Sequence, residues 1–406
     1  MRLLMLMILI ASCVQTFAQE KLTLDKAIDL AIKNNKEISA ASFDVEAQRQ
    51  LKKTAVNLPK TDVNLLYGQY NSYVNDNNFT VLQSIPMTAF GSQGKLNRAL
   101  LASSELQKSM TQNEVVYRVK RVYYEVAFTS ERKRLLQSQD SIFEGFLKSA
   151  SLRYKTGESN LLEQATAESQ KNEVKNELRR VDSEINKWQN QLKTLINTDY
   201  LPEVSITNLE PITLSNIADS AALASNPSLA YARQQIEVTR RDKKNEAAKA
   251  APELLVGFFS QTLIGAPNED GSLTTNGDRF TGIQMGVSLP LWFGPHNGRI
   301  KAAEYRSRAE QNRFEQFELS LQNEFSQALQ RFENNKSSLE YYQSLALPNA
   351  NLIMKQAQTG FREGEIGYAE FLMGLRNAIA IKNSYLQTLN DYNQSILYLE
   401  YLSGNK

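Results

Sequence analysis

The feature that most constrains this chain is an internal repeat with a period of about 200 residues, which is the scale of a whole domain. The triplet Ser84-Ile85-Pro86 recurs as Ser288-Leu289-Pro290, and each copy is followed by a Phe-Gly pair and then by a Gly that precedes a basic residue. Farther along, the segment around Gly157 is echoed by the segment around Gly364. The chain therefore contains one structural plan twice.

The first 18 residues have a basic tip, a short apolar run and a small residue at Ala18, which is typical of a secretory signal. We interpret residues 1–18 as a signal peptide, 19–210 as the first repeat and 211–406 as the second. An alternative stays open, because residues 10–13 resemble the box in which a lipoprotein Cys, here Cys13, is acylated. Under the first interpretation the mature chain has no Cys, so disulfide and thiolate chemistry are excluded.

Each repeat is predicted to contain a β-hairpin. Between Thr61 and Ile85, apolar and polar residues alternate on both sides of the turn-rich segment 74–78. The runs 253–263 and 280–289 alternate in the same way, and the Gly-rich loop 264–279 between them is expected to be exposed and mobile. Such strands, with one apolar face and one polar or small face, fit a membrane barrel that has lipid outside and water inside.

Four strands cannot close a barrel, and hydrocarbon does not tolerate unpaired backbone at an open sheet edge. A membrane barrel built from this chain must therefore be shared between copies. Three copies would supply twelve strands, an even number that such barrels use.

The rest of each repeat predicts long helices. From Gly94 to about Tyr154 there is no Pro, and apolar residues recur at helical spacing; a similar stretch runs from Gly298 to about Leu347. Each is followed by a Gly-bearing turn and a second helix, over 158–196 and 365–402. A monomer of this size cannot cover helices of about 60 residues, so they must pack as coiled coil.

This doubled arrangement resembles the TolC family of outer-membrane efflux factors over essentially the whole mature chain. The residues that carry the resemblance are the two strand ends at Pro86 and Pro290, the helix starts at Gly94 and Gly298, and the tips at 153–157 and 361–364. The closing region is similar to members that serve heavy-metal exporters, and it comprises residues 364–372, 392–395 and 399–404.

The resemblance implies a mainly α fold with a membrane β-barrel: long coiled-coil helical hairpins plus four strands per chain. The homotrimer would form a twelve-stranded barrel in the outer membrane and a twelve-helix periplasmic tunnel. It further implies a passive exit duct for metal cations, whose partners are a periplasmic adaptor protein, an inner-membrane RND-type pump and outer-membrane lipid.

The hairpin tips are the candidate site. Gly157 and Gly364 supply the backbone freedom that a tight reversal requires. In the family this tip is where the adaptor docks, which gives these predicted adaptor contacts: Arg153, Gly157, Glu158, Arg362, Gly364 and Glu365. Three nearby carboxylates are candidates for an acidic ring at the entrance, with a solvated helix face as the alternative: Glu163, Glu363 and Glu370.

Composition excludes other classes of protein. The net charge of +2 lacks the basic excess of a nucleic-acid-binding protein. His296 is the only His, so it can neither share a metal nor complete a hydrolytic triad. We therefore predict no enzyme, no cofactor and no metal site. The alternatives left open are a periplasmic coiled-coil scaffold without a barrel, and an exit duct for drugs or secreted polypeptides.

Overall fold

The computed structural model of the chain describes residues 21–71, 73–206, 208–214 and 220–404. The predicted signal segment and Cys13 lie outside these residues. The helices and strands follow in this order: α1 (Leu24–Asn34), α2 (Lys36–Leu51), β1 (Asp62–Gly68), β2 (Asp76–Ile85), α3 (Met87–Lys155), α4 (Leu161–Ile196), α5 (Pro227–Lys249), β3 (Glu253–Gln261), β4 (Phe280–Ser288), α6 (Phe293–Tyr341), α7 (Leu347–Glu363) and α8 (Tyr368–Ser403). Short 3-10 turns occupy Lys52–Ala55 and Ser220–Ser225.

The described residues form two compact units. The helical unit comprises the described parts of 21–39, 111–226 and 321–404, and the sheet unit comprises 40–110 and 227–320. Each unit therefore takes segments from both sequence repeats. The repeat boundaries remain a prediction about duplication of the sequence.

The sheet unit contains one antiparallel sheet in the order β1-β2-β3-β4. This confirms the four predicted strands, with one change at the first turn. β2 begins at Asp76, inside the predicted turn, because the Asp76 carboxylate accepts hydrogen bonds from the Thr262 hydroxyl at 3.1 Å and the Ile264 N–H at 2.9 Å. These bonds extend the β2–β3 pairing beyond what alternation alone indicated.

The strand register divides the sheet into two different faces. Val63 pairs with Val81, Val81 with Phe258, and Phe258 with Ile283, so these residues share one face. The same register gives that face a largely apolar set: Val63, Leu65, Tyr67, Phe79, Val81, Ile85, Leu254, Val256, Phe258, Ile283, Met285 and Val287. The opposite face is mainly polar or glycine, and it includes Asn64, Thr80, Ser84, Gly257, Gln261, Gly282, Gln284 and Gly286.

Two large apolar residues on the polar face cover glycines. A Cβ at Gly282 would lie 2.7 Å from the Phe259 ring, and one at Gly257 would lie 2.9 Å from Leu82 Cδ1. Leu82 is the residue at which the alternation of β2 breaks in the sequence. The break is explained because this side chain fills the space above a residue that has no side chain.

The loop between β3 and β4 is exposed, as predicted, but it has its own hydrogen-bonded structure. The Gly265 N–H donates to the Thr274 carbonyl at 2.9 Å, and the Thr275 N–H donates to the Asp278 carboxylate at 2.7 Å. Arg279 Nη1 donates to Asn77 Oδ1 at 2.8 Å. The loop is therefore a sequence of connected turns fastened to the end of the sheet.

The long helices begin earlier than predicted. α3 begins at Met87 and α6 at Phe293, so Gly94 and Gly298 lie within the helices. Pro86 and Pro290 end the strands, because proline cannot donate to a sheet ladder.

Pro348 does not end the second long helix. Residues Tyr342–Ala346 form a π-helical turn, in which the Leu347 N–H donates to the Tyr342 carbonyl, and helix α7 continues to Glu363. The wider turn accommodates the proline ring, which would clash in a regular α-helix with the carbonyl four residues earlier.

Corresponding Asn residues end the second helix of each hairpin in the helical unit. Asn35 Nδ2 donates to the Leu195 carbonyl at 2.8 Å, and Asn226 Nδ2 donates to the Leu402 carbonyl at 2.8 Å. Both Asn residues are buried. The weak similarity that opens each half of the sequence thus corresponds to the same contact made twice. The predicted opening helix of the first half is α1, whereas residues 215–219 of its counterpart lie outside the described residues.

Candidate functional site: the tips of the helical hairpins

The two hairpin tips share one backbone turn. We define the first tip as residues 153–163 and the second as 360–370. Gly157 and Gly364 both have φ of 78°, in the left-handed region that glycine adopts without steric cost. The Glu158 N–H donates to the Arg153 carbonyl at 2.8 Å, and the Glu365 N–H donates to the Gly360 carbonyl at 2.8 Å. This is the Schellman pattern that closes a helix C-terminus.

The returning helices also begin alike, three residues later than predicted. α4 begins at Leu161 and α8 at Tyr368, each with a Glu in its first turn. Asn160 caps α4 by accepting from the Glu163 N–H at 3.1 Å, whereas Glu370 folds back to accept from the Gly367 N–H at 3.2 Å. A carboxylate at this position also interacts favourably with the helix dipole.

Glu163 differs from the other predicted entrance carboxylates because it is buried. Its side chain is 3% exposed, and Arg153 Nη1 lies 3.3 Å from its carboxylate. The Ser159 hydroxyl donates to the same carboxylate. These contacts indicate that Glu163 stabilises the turn of the first tip. Glu363 and Glu370, in contrast, are exposed.

Arg153 connects the two tips within the helical unit. Besides its contact with Glu163, its guanidinium lies 5.6 Å from the centroid of the Phe361 ring. Phe361 stacks on Phe371 at 4.7 Å, and Phe146 lies edge-on to Phe361 at 5.4 Å. One cation thus contacts a buried carboxylate of the first tip and an aromatic cluster of the second.

The aromatic cluster was not predicted from the sequence, in which Phe361 is only the first residue of the repeated tip 361–364. A usable signal was present, because Phe361 and Phe371 flank the Gly364 turn and can meet only if the chain reverses there. The contact with Arg153 carries no sequence signal, since it depends on packing between the hairpins.

The remaining predicted contact residues lie on the surface of the tips. Glu158, Arg362, Gly364 and Glu365 are exposed, and Arg153 is partly exposed. Large apolar side chains are exposed beside them: Leu152, Tyr154, Leu161, Leu162 and Met373. Charged groups beside exposed apolar side chains are typical of a surface that meets another protein.

Several clefts lie between helices of the helical unit, of which two concern the tips and the helices that lead to them. The one at the tips has a volume of about 520 Å³ and is lined by residues that include Arg153, Phe361 and Arg362. The second, of about 660 Å³, lies between α3, α4 and α8. Its wall includes Gln139, whose Nε2 is buried without a hydrogen-bond partner among the described residues. The clefts are open grooves without convergent catalytic groups.

Searches for other kinds of site gave negative results for the described residues. They contain no group of three or more His, Cys, Asp or Glu side chains placed to hold a metal ion. Within the same residues, no helix combines the length and apolar character needed to cross a bilayer. His296 lies near the start of α6 and is partly exposed.

Residues 219–405 match the protein family described as "Outer membrane efflux protein". This part of the chain is similar to that family. The match covers a little under half of the chain, and it agrees with the family that the sequence resembles. Since members of an efflux family move solutes and do not transform them, it also supports the predictions that the chain is not an enzyme and that it resides in the outer membrane. No curated protein matches the sequence.

Solved structures extend the likeness to the fold of nearly the whole chain. The outer-membrane channel OprN has a TM-score of 0.80 at 15% identity, with 94% of this chain and 90% of that chain covered. CusC has a TM-score of 0.79 at 16% identity, with 94% of this chain and 92% of that chain covered. VceC, an outer membrane protein from Vibrio cholerae, gives 0.76 at 14% identity, with 94% and 96% covered. At these identities the likeness shows the fold alone, and it confirms the predicted combination of long helices and four strands.

Proposed function

We propose that three copies of this chain form a passive exit duct across the periplasm and outer membrane, joined by an adaptor protein to an inner-membrane RND-type pump. The observation that carries the proposal is the two-faced sheet with two open edges. Its apolar face is exposed: Ile283 is 76% and Met285 75% accessible in the single chain. A water-soluble domain would bury such a face.

The longest strand fits a bilayer. β2 has 10 residues. At about 3.4 Å per residue and a tilt of about 40°, ten residues span roughly 26 Å, close to the apolar band of about 25 Å in outer-membrane barrels. The apolar face would meet lipid, and the polar and glycine-bearing face would line the pore.

The open edges require further copies. β1 and β4 are the edge strands, and each leaves one side of its backbone unpaired within the sheet. If β4 of one copy pairs with β1 of the next, three copies close a twelve-stranded ring and no unpaired edge is left in hydrocarbon.

The hairpin tips are the proposed adaptor-docking surface. The proposal is supported by the exposed charges at Arg362 and Glu365, by the exposed apolar side chains beside them, and by the cleft at Phe361. Glu365→Lys should weaken crosslinking to the adaptor without changing the trimer. Glu340→Lys, on an exposed helical surface away from the tips, is the matched control. Crosslinking and export that are the same in both variants would refute docking at the tips.

Of the three candidate entrance carboxylates, Glu363 and Glu370 remain candidates. Glu163 is excluded because it is buried against Arg153 of its own chain. In a trimer each would occur three times, and such acidic rings favour cations. The double variant Glu363→Gln with Glu370→Gln should lower the cation-to-anion permeability ratio in planar bilayers. The Gln at 370 keeps an acceptor for the Gly367 N–H. An unchanged ratio would leave these side chains as a solvated helix face.

Membrane extraction and conductance test the duct itself. We expect the protein to require detergent for extraction, to have the mass of a trimer in that detergent, and to form ion-conducting pores in planar bilayers. A soluble, non-conducting protein would instead support a periplasmic scaffold without a barrel.

The cargo is the finer part of the proposal. The proposal that metal cations are the cargo rests on the resemblance of three segments to family members that serve metal exporters. These segments are 364–372, 392–395 and 399–404. The described residues offer no metal-binding cluster, so selection would reside in the pump. A deletion strain that becomes sensitive to metal salts supports metal cargo. Sensitivity confined to a drug panel would assign the duct to organic compounds.

A further inference from the structure

One end of the sheet carries a band of exposed apolar side chains that the strands alone do not explain. Trp292 is 84% exposed, and it lies between two further exposed apolar residues. We define the apolar collar as Val56, Leu58, Met87, Leu291, Trp292 and Phe293, all of them exposed. These residues lie just before β1, just after β2 and just after β4, at the end where strands connect to helices.

A band of positive charge lies beside the collar in the sequence. We define the basic band as Lys52, Lys53, Lys60, Lys95, Arg98, Lys249, Arg299 and Lys301, all of them exposed. The four segments that contain the collar and the band, 52–61, 86–99, 247–252 and 289–301, include no Asp or Glu. Acidic residues bound these segments at Asp62, Glu246 and Glu253, so the one-sided charge is confined to the four segments themselves.

The cations in this band are largely unpaired. Lys249 forms a salt bridge with Glu246 at 2.7 Å. Among the described residues, no salt bridge joins the other seven members to a carboxylate. Unpaired exposed cations of one sign are available to an anionic partner.

Hydrogen bonds hold three of these segments together in the sheet unit. Asn97 Nδ2 donates to the Leu51 carbonyl at 2.8 Å, which joins the start of α3 to the segment that carries Lys52 and Lys53. Thr88 Oγ1 donates to the Ala248 carbonyl at 3.1 Å, which joins the same helix start to the residue before Lys249. The fourth segment, 289–301, follows β4 at the same end of the sheet.

The basic residues lie slightly farther along the helices from the collar than the depth of a phospholipid headgroup region. Arg299 follows Phe293 by six residues, about 9 Å of helix, and Lys95 follows Met87 by about 12 Å. Headgroups extend about 5–8 Å beyond the hydrocarbon on each side of a bilayer. Long basic side chains near a membrane surface direct their charges to that level. The sequence repeat places both features twice, beside Gly94 and beside Gly298.

We propose that the collar and the basic band form a binding surface for anionic phospholipid in the membrane leaflet nearest the helices. The collar inserts at the boundary between acyl chains and headgroups, where Trp is favoured, and the band contacts the phosphates. This inference rests on the proposed membrane duct and adds a lipid class to it. Its consequence is that the lipid fixes the depth of the sheet in the membrane.

The chain's two Trp residues allow a direct test. Trp188 lies in the helical unit against its apolar core, so Trp188→Phe leaves Trp292 as the only fluorophore. Trimers of this variant are placed in nanodiscs of equimolar phosphatidylglycerol and phosphatidylcholine, with bromine on the acyl chains of one lipid or the other. We expect Trp292 to be quenched, and about threefold more strongly by brominated phosphatidylglycerol than by brominated phosphatidylcholine. Trp188, isolated by Trp292→Phe, should be quenched by neither.

A charge variant with a matched control tests the basic band. Replacing Lys95, Arg98, Arg299 and Lys301 by Gln should reduce the quenching ratio to about one. The control replaces Lys175, Arg179, Lys336 and Lys355 by Gln, which removes the same charge from exposed positions in the helical unit and should leave the ratio unchanged.

The outcomes separate this inference from the proposed duct. Equal quenching by the two lipids in the Trp188→Phe protein would overturn the preference for anionic lipid. An unquenched Trp292 would overturn the collar. In either case trimers that still insert and conduct ions leave the duct intact, whereas a protein that enters no nanodisc refutes both.

Discussion

Removing the Arg153 side chain should loosen both hairpin tips at once. Arg153→Ala leaves the Glu163 carboxylate buried, with the Ser159 hydroxyl but without a cation. Breaking a fully buried pair costs about 3–5 kcal/mol, but Arg153 is 38% exposed, so solvent screening lowers that cost. The substitution also removes the cation–π contact with Phe361, which contributes about 0.5–1 kcal/mol. We therefore expect Arg153→Ala to destabilise the tips by about 2 kcal/mol in total.

Hydrogen–deuterium exchange of the trimer in detergent measures this local effect. A loss of about 2 kcal/mol lowers the protection of amides in residues 152–165 and 358–366 by about 30-fold, if both tips open locally. Arg362→Ala is the control, because Arg362 is exposed and pairs with no buried carboxylate.

A double variant tests the cause. In Arg153→Ala with Glu163→Gln the buried charge is gone, so about half of the lost protection should return. The reasoning is refuted if the double variant exchanges as fast as Arg153→Ala alone. It is also refuted if the second tip keeps its full protection in both variants, because Arg153 would then not connect the tips.

Three further changes have defined outcomes. Gly364→Ala forces a side chain onto a left-handed residue and should cost about 1–2 kcal/mol, seen as faster exchange at the second tip but not at the first. Asn226→Ala removes the buried amide that donates a hydrogen bond to the end of α8. It should lower the free energy of unfolding by about 1–3 kcal/mol, measured as a lower melting temperature. Burial raises the pKa of the Glu125 carboxyl, although the hydrogen bond from Asn390 opposes the shift. Glu125→Gln should therefore stabilise the fold at pH 7 by less than about 1 kcal/mol, because the carboxyl is only partly buried and solvent screens it. The new amide also supplies a donor beside Asn390 Oδ1, which has no hydrogen-bond partner among the described residues. Since a raised pKa penalises the charged form, that part of the gain should disappear on acidification below the unfolded-state pKa, and a gain identical at pH 4 and pH 7 would contradict it.

Local rules explain what could be predicted from the sequence. The alternation of apolar and polar residues predicted the strands, because a half-buried strand has a period of two. Gly157 and Gly364 predicted the chain reversals, because few other residues tolerate a positive φ. Each of these signals lies within a few neighbouring residues, so it does not depend on the packing of the rest of the chain.

The features that escaped prediction depend on distant partners. Glu163 was predicted to be an entrance carboxylate, but it is buried because Arg153 and Ser159 contact it. The second long helix was predicted to end at about Leu347, but the π-helical turn Tyr342–Ala346 lets the helix continue past Pro348. The basic band was hidden because its members come from four separate segments of the chain, which only the fold brings to one end of the sheet.

Crosslinking between β1 and β4 tests most directly the claim that copies of this chain close a ring. Within one sheet these strands are separated by β2 and β3, about 14 Å, and a disulfide requires Cα atoms within about 7 Å. Any covalent bond between them must therefore join two copies. Cys13, the only Cys in the sequence, would be replaced by Ser.

With one Cys fixed at Leu65, a second is scanned through Thr281, Ile283, Met285 and Val287, which lie on the same face of the sheet. The account predicts that at least one pair, oxidised in the membrane, yields covalent trimers that dissociate to monomers on reduction. Monomers alone at every position, with both thiols remaining reactive, would contradict it.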